Sequence, residues 1–128
     1  ILWLRDDLGS DVPTPAAHQG RAYVVADGKT SKGTITCINL NNGQTEWTVK
    51  LPKSRGGYSS SPLLAGNHLY VTQENGTMFV LGPLDNKQPE IVSTNTIEDN
   101  EPFTVASPVP FQESLLLRSR HKLYRIKK

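Results

Sequence analysis

The sequence predicts an all-β fold. Along residues 33–52, Trp47, Val49 and Leu51 alternate with polar residues, and this period of two is typical of a strand with one buried face. Ahead of that strand, Asn42-Gly43 supplies the positive φ angles that a short hairpin turn needs. Ten glycines and nine prolines interrupt the chain, and no helical period of about 3.6 residues is sustained. Short strands joined by turns are therefore expected throughout.

The hairpin at residues 33–52 is part of a repeat. Its anchors are three prolines spaced 47 and 46 residues apart, namely Pro15, Pro62 and Pro108. Eight residues after each proline stands a residue of a strand-like run, namely Tyr23, Tyr70 and Leu116. A further strand-like run begins in each repeat, at Gly33, Gly76 and Lys122. Four short strands recurring at such a period indicate a β-propeller blade, and the alternative is a β-sandwich whose strands share this spacing by chance.

The repeats predict about three blades of four antiparallel strands, over residues 13–52, 60–96 and 105–128. Residues 1–6 (ILWLRD) are expected to be the last strand of a preceding blade, with Trp3 in the place that Trp47 holds in its own blade. Known rings start at about four blades. Two arrangements are therefore expected: an arc of a larger ring, or half of a ring closed by a homodimer in which each copy contributes residues 1–6 to the other.

The residues around the Asn42-Gly43 turn resemble a known repeat. Quinoprotein (PQQ-like) β-propellers carry the pattern A-x-D-x-x-T-G-x-x-x-W, and this sequence reads C-x-N-x-x-N-G-x-x-x-W. Two positions match, Gly43 and Trp47, and three are conservative departures, Cys37, Asn39 and Asn42. The resemblance implies that Trp47 and Trp3 dock between blades and that Gly43 turns the chain. Near the tryptophan position of the second repeat stand residues 91–92, Ile-Val.

The resemblance also implies what chemistry to look for. The enzymes of that family, alcohol and sugar dehydrogenases, hold pyrroloquinoline quinone (PQQ) over a Ca²⁺ ion with an aspartate base, and methanol-oxidising members add two adjacent cysteines. This sequence has one cysteine, Cys37, which excludes such a pair and any disulfide within the chain. No stretch matches the calcium ligands or the base residue by residue.

We therefore expect a non-catalytic scaffold for protein–protein or ligand interaction, without a cofactor, that resembles the C-terminal blades of a non-enzymatic bacterial member. The alternatives are a C-terminal fragment of a PQQ- and Ca²⁺-dependent dehydrogenase whose active site lies in other blades, and a sensor domain. The same resemblance implies an extracytoplasmic location, periplasmic or secreted.

Composition limits the partners. The 128 residues are 36% hydrophobic and 20% charged, and 14 basic against 12 acidic residues leave a net charge of +2. This balance indicates no nucleic-acid partner. No apolar run approaches the roughly 18 residues of a membrane span. A protein partner is the expectation.

One connection between repeats is a candidate interaction loop, Arg55-Gly56-Gly57-Tyr58. Propellers place binding loops on the connections, glycine lets a partner approach the backbone, and Arg and Tyr are favoured contact residues. The alternative is a linker whose Tyr58 packs against the next blade.

Other polar residues receive simpler interpretations. Three histidines occupy different offsets within their repeats, His18, His68 and His121, so no shared metal site is expected. The acids at 6–7 and 11 lack the spacing of a calcium loop. The basic run at 118–128 is interpreted as strand-edge and turn charge that blocks aggregation, with anion binding as the alternative.

Overall fold

The computed structural model describes residues 1–127, in which every regular element is a β-strand. The strands form three antiparallel sheets of four, four and three strands, each made of consecutive strands. The predicted all-β fold of propeller blades is confirmed. Lys128, the last residue of the third repeat, lies outside the described residues.

The three blades follow the chain in order. Blade 1 contains β1 (Ala16–His18), β2 (Arg21–Val25), β3 (Thr34–Asn39) and β4 (Thr45–Lys50). Blade 2 contains β5 (Leu63–Ala65), β6 (His68–Thr72), β7 (Thr77–Gly82) and β8 (Glu90–Thr96). Blade 3 contains β9 (Val109–Phe111), β10 (Ser114–Arg118) and β11 (Leu123–Lys127).

Blades 1 and 2 share one strand register. In blades 1 and 2 the residue eight positions after the anchoring proline pairs with the fourth residue of the third strand, Tyr23 with Cys37 and Tyr70 with Val80. In blade 3 Leu116 pairs with Arg125, the third residue of β11. In blades 1 and 2 the pairing of the third and fourth strands shifts at the same place, between Cys37 and Ile38 and between Val80 and Leu81. Each position in blade 1 therefore has a defined counterpart in blade 2.

The main core lies between blades 1 and 2. Because side chains alternate across a strand, each sheet presents one set of residues to the blade before it and another to the blade after it. Blade 1 contributes Tyr23, Val25, Ile35, Cys37, Trp47 and Val49, and blade 2 contributes Leu69, Val71, Phe79 and Leu81. Connections add Leu51, Tyr58 and Leu84. This burial of one sheet against the next is the principal apolar stabilisation of the structure.

Residues 1–6 are not part of a sheet in the structure. None of the described strands pairs with them, and a strand requires a hydrogen-bonded neighbour. Their assignment as the last strand of a preceding blade stays a prediction. Within residues 1–127 there is no helix with the length and apolar character needed to cross a membrane.

Candidate functional site

Trp3 docks on the turn that follows β3. Its Nε1 donates a 2.8 Å hydrogen bond to the carbonyl oxygen of Leu40, and its ring lies against the backbone of Gly43. A Cβ atom at Gly43 would stand 2.7 Å from Cδ2 of Trp3, and the residue has a φ of +71°. Both features favour glycine. Arg5 donates a second hydrogen bond, 2.9 Å long, to the carbonyl oxygen of Gly43. Two backbone acceptors therefore fix the segment that precedes blade 1.

Trp47 occupies the junction between blades 1 and 2 in a different way. Its side chain is buried in the core, with its ring centroid 5.8 Å from that of Tyr23. Its Nε1 has no hydrogen-bond partner among the described residues. The corresponding turn of blade 2, residues 83–86 (PLDN), contains no glycine and buries Leu84 in the same cluster as Trp47. Apolar packing alone therefore holds this indole.

The junction between blades 2 and 3 has no tryptophan. Ser93 pairs with Val80 as Trp47 pairs with Cys37, so Ser93 is the counterpart of the tryptophan. Its side chain is exposed. Of the residues that the sequence places near this position, Ile91 packs against the core between blades 1 and 2, and Val92 is 53% exposed.

A carboxylate links the preceding connection to blade 3. Asp99 accepts hydrogen bonds from the hydroxyl of Tyr124 (2.6 Å), the hydroxyl of Ser119 (3.2 Å) and the ammonium of Lys122 (3.0 Å). Its side chain is only 7% exposed. The Tyr124 hydroxyl and then Lys122 hold the pKa of Asp99 well below its usual range, because both stabilise the ionised form. The β10–β11 turn is thereby fastened to the connection.

The candidate interaction loop is largely buried at its tyrosine. Tyr58 is 3% exposed and belongs to the core, and burial raises its pKa to about 12. The structure thus matches the alternative in which this ring packs against the neighbouring blade. Of the four residues, Arg55 has the exposed side chain. An interaction role for this loop stays a prediction, and it depends on Arg55.

The two glycines of that loop lie against polar side chains of blade 2. A Cβ atom at Gly56 would stand 2.9 Å from Cγ of Gln73, and one at Gly57 would stand 3.0 Å from Cδ of Glu74. Gln73 Nε2 donates a 3.0 Å hydrogen bond to the carbonyl oxygen of Gly56. The backbone N–H of Glu74 donates a 2.8 Å hydrogen bond to the carbonyl oxygen of Gly57. These glycines allow the connection to approach its own blade, which leaves their backbone acceptors already engaged.

A series of hydrogen bonds runs from blade to blade beside the first strands. The backbone N–H of Thr14 donates to Ser61 Oγ, and the backbone N–H of Ser61 donates to Ser107 Oγ, each over 2.9 Å. All three residues stand directly before an anchoring proline. Sequence reasoning missed this series, although a hydroxyl residue before the proline of every repeat is a visible signal.

A polar groove of about 350 Å³ opens between blades 1 and 2, on the rim formed by their first hairpin turns. Its exposed polar side chains are His18, Gln19, Asn67 and Asp85. Asn67 Nδ2 donates to Asp85 Oδ1 over 2.6 Å. Arg21 also lines the groove, and its Nε lies 2.6 Å from Glu46 Oε2. The groove therefore offers donors and acceptors from two blades, and sequence reasoning did not single it out.

Metal ligation has no basis in the described part of the chain. No three His, Cys, Asp or Glu side chains of residues 1–127 come together as a metal site requires. His18 lines the groove, His68 lies in β6, and His121 Nε2 stands 3.0 Å from Glu101 Oε2. Cys37 is fully buried, and burial raises the pKa of its thiol to about 11.

One curated relative resembles the chain in sequence. Tetrathionate hydrolase from Acidianus ambivalens is 27% identical over 114 residues, which make up 87% of this chain and 19% of that protein. The chain thus spans about a fifth of the length of the relative it matches. No protein-family model matches the chain.

Solved structures show the fold. Quinohemoprotein alcohol dehydrogenase from Comamonas testosteroni superposes with a TM-score of 0.62 at 18% identity, over 84% of this chain and 17% of that one. BamB from Moraxella catarrhalis superposes with a TM-score of 0.55 at 17% identity, over 77% of this chain and 26% of that one. The chain has the β-propeller fold.

Proposed function

We propose that the chain is a non-catalytic β-propeller scaffold of the PQQ-like type that binds a protein partner along one rim. The observation that carries the proposal is the groove between blades 1 and 2, where exposed side chains of two blades meet: His18, Gln19, Asn67 and Asp85. A groove lined by amide, imidazole and carboxylate groups suits hydrogen bonding to an extended peptide segment. The same family resemblance supports an extracytoplasmic location.

The use of the carboxylates favours binding over catalysis. Four of them act as acceptors within the fold: Asp27 from the backbone of Asp11 and Val12, Glu46 from Arg21, Glu74 from Ser59, and Asp99 from Tyr124. A general acid or base must instead reach a substrate proton. These contacts make the four carboxylates structural groups.

A peptide library displayed on phage and selected against the immobilised chain tests the binding proposal. We expect the enriched peptides to lose about tenfold or more in affinity for Asn67→Ala and for His18→Ala, since both side chains line the groove. The matched control is Lys53→Ala, an exposed change on the opposite rim, which should bind as the wild type does. A loss confined to Arg55→Ala would move the binding surface to the other rim, and a selection that enriches no peptide would overturn the proposal.

The competing function is catalysis as part of a longer enzyme. It is favoured by one observation, the 27% identity to tetrathionate hydrolase along 87% of the chain. Within residues 1–127 no three His, Cys, Asp or Glu side chains converge, and under this competing function the PQQ and Ca²⁺ site lies in other blades. Under the scaffold proposal, PQQ with Ca²⁺ leaves tryptophan fluorescence unchanged, and tetrathionate is recovered intact after incubation. Saturable quenching or consumption of tetrathionate would favour the enzyme.

A further inference from the structure

The first hairpin turn of blade 1 contains a residue in a costly backbone conformation. Gln19 has a φ of +49°, where the Cβ atom of an ordinary residue crowds the following carbonyl oxygen. Gln112, with a φ of +53°, is the other non-glycine residue with a positive φ among residues 1–127. Both glutamines stand four positions after an anchoring proline, and the equivalent residue of blade 2 is Gly66, with a φ of +60°. This turn position thus has a positive φ in all three blades, and glycine occupies it in one.

The two glutamines differ in how their side chains are used. Gln112 Oε1 accepts a 3.2 Å hydrogen bond from Nη2 of Arg125, so glycine at position 112 would lose a contact. The exposed side chain of Gln19 lines the groove between blades 1 and 2, and it makes no hydrogen bond within residues 1–127. Costly backbone conformations of this kind cluster at functional sites. No contact within the described fold accounts for glutamine at position 19.

The groove also presents an uncompensated charge. Arg21 lines the groove, but its Nε is paired with Glu46 over 2.6 Å and its Nη1 donates to the carbonyl oxygen of Leu84. Asp85 accepts a 2.6 Å hydrogen bond from the neutral amide of Asn67. None of the ion pairs within residues 1–127 includes Asp85. A cation bound beside this carboxylate would therefore find its charge available.

The two features lie on opposite sides of the groove. Gln19 belongs to the β1–β2 turn of blade 1, and Asp85 belongs to the β7–β8 turn of blade 2. A side-chain amide has a donor and an acceptor, which match the C=O and N–H of a peptide group. A carboxylate pairs with an ammonium or a guanidinium group. The half-buried side chain of Leu64 offers apolar surface to the aliphatic part of a lysine or arginine.

Other classes of ligand fit this groove less well. A phosphate or another anion would meet the carboxylate of Asp85, and the nearby guanidinium of Arg21 is already paired. A divalent metal ion needs several converging carboxylate or imidazole ligands, and no three such groups come together in the described part of the chain. A peptide segment with a basic side chain satisfies the amide, the carboxylate and the apolar surface together.

We propose that Gln19 and Asp85 select the segment that the groove binds. The segment is an extended peptide that carries a lysine or arginine, whose cation pairs with Asp85 while a neighbouring peptide group bonds to the amide of Gln19. This inference rests on the proposed function, because it names the chemistry of the partner at the same groove. Gln19 is then a binding residue that the fold would exchange for glycine at a gain in stability.

The peptides enriched on the immobilised chain test the role of Asp85. We expect a lysine or arginine at one fixed position, and replacing it by glutamine should weaken binding about tenfold or more. Asp85→Asn should bind the two peptides equally, whereas the control Glu98→Gln, an exposed change on the opposite rim, should keep the difference. Enriched peptides without a basic residue, or a difference that persists in Asp85→Asn, overturn this inference and leave the groove proposal intact. A selection that enriches no peptide overturns both.

Gln19→Gly separates binding from stability. The variant should bind the enriched peptide about threefold to tenfold more weakly, because one neutral hydrogen bond is lost. Its Tm should rise by about 2–4 °C, because glycine adopts a positive φ without crowding. The matched control Gln112→Gly removes the other glutamine of this kind outside the groove, and it should leave the affinity unchanged. Unchanged affinity in Gln19→Gly, or a fall in its Tm, overturns the assignment of Gln19.

Discussion

The indole of Trp3 lies against the backbone of Gly43, so closely that a Cβ atom on the glycine would stand 2.7 Å from the ring. The ring and the turn are thus complementary in shape, and the Nε1 hydrogen bond to Leu40 fixes their orientation. The indole of Trp47 also packs in an apolar contact between blades, but its Nε1 makes no hydrogen bond among the described residues. The two tryptophans therefore report on two kinds of blade junction.

Gly43→Ala should destabilise the chain more than Gly20→Ala. Both glycines have a positive φ, +71° and +74°, so both variants lose about 1–2 kcal/mol from the backbone. Only the alanine at position 43 meets a ring, since nothing lies within 4 Å of a Cβ at Gly20. Overpacking against the Trp3 ring should lower the free energy of unfolding of Gly43→Ala by about 1–3 kcal/mol more. Urea unfolding measures the difference, and a red shift of tryptophan emission should report the displaced Trp3. Equal losses in the two variants would contradict the close contact.

Asp99→Asn should remove a stabilisation that depends on pH. The pKa of Asp99 is lowered in the folded chain by Tyr124 and Lys122, so its ionised form stabilises the fold above the unfolded-chain pKa of about 3.9. This contribution is lost as the pH falls from that value towards the lowered pKa. Thermal unfolding at about pH 7 should show the variant less stable than the wild type, and the gap should shrink at about pH 3. A gap of constant size would contradict the role of ionised Asp99.

Cys37 should react with a thiol reagent only when the chain opens. Its side chain is fully buried, and burial followed by the nearby Glu46 raises its pKa to about 11, so little thiolate forms at neutral pH. We expect negligible reaction with Ellman's reagent in buffer and complete reaction in denaturant. Val12→Cys introduces an exposed thiol that should react at once in the same buffer. Rapid reaction of the wild type would mean that the core between blades 1 and 2 opens readily.

Tyr58→Phe should leave stability unchanged or raise it by about 1 kcal/mol. The hydroxyl of Tyr58 is buried without a hydrogen-bond partner among the described residues, so its removal relieves an unsatisfied polar group. Tyr58→Ala, by contrast, should cost about 3–5 kcal/mol because it leaves a cavity in the core. Urea unfolding of both variants provides the comparison. A loss well above 1 kcal/mol in Tyr58→Phe would reveal a partner for the hydroxyl.

The blade architecture was predictable because its causes repeat along the chain. In each blade the chain must turn at corresponding positions and bury alternate residues of each strand. A proline and a strand-like run therefore recur at a fixed spacing in each repeat, as at Pro15 and Tyr23. The position of the missing tryptophan was harder to predict. The chain between the paired positions is longer in blade 2, with 13 residues from Val80 to Ser93 (93 − 80) against 10 from Cys37 to Trp47 (47 − 37), so the counterpart of Trp47 is Ser93 and not Ile91 or Val92.

The polar contacts of the connections were not predictable from sequence. Asp99 meets Ser119, Lys122 and Tyr124 across 20 to 25 residues, and connections have no period that would relate such positions. Arg-Gly-Gly-Tyr suggested an open loop, yet Tyr58 is in the core because the glycines allow the backbone to lie against Gln73 and Glu74. Burial of this kind depends on the tertiary structure and leaves no local pattern.

The hydroxyl series has a direction, since each blade donates its N–H to the blade that follows. A duplicated repeat inserted at any junction would bring its own donor and its own acceptor, and would leave the bonds on either side intact. Gain or loss of a whole repeat is therefore the mutational step that this contact tolerates best. The number of blades can therefore change by single units without loss of this hydrogen bond between neighbouring blades.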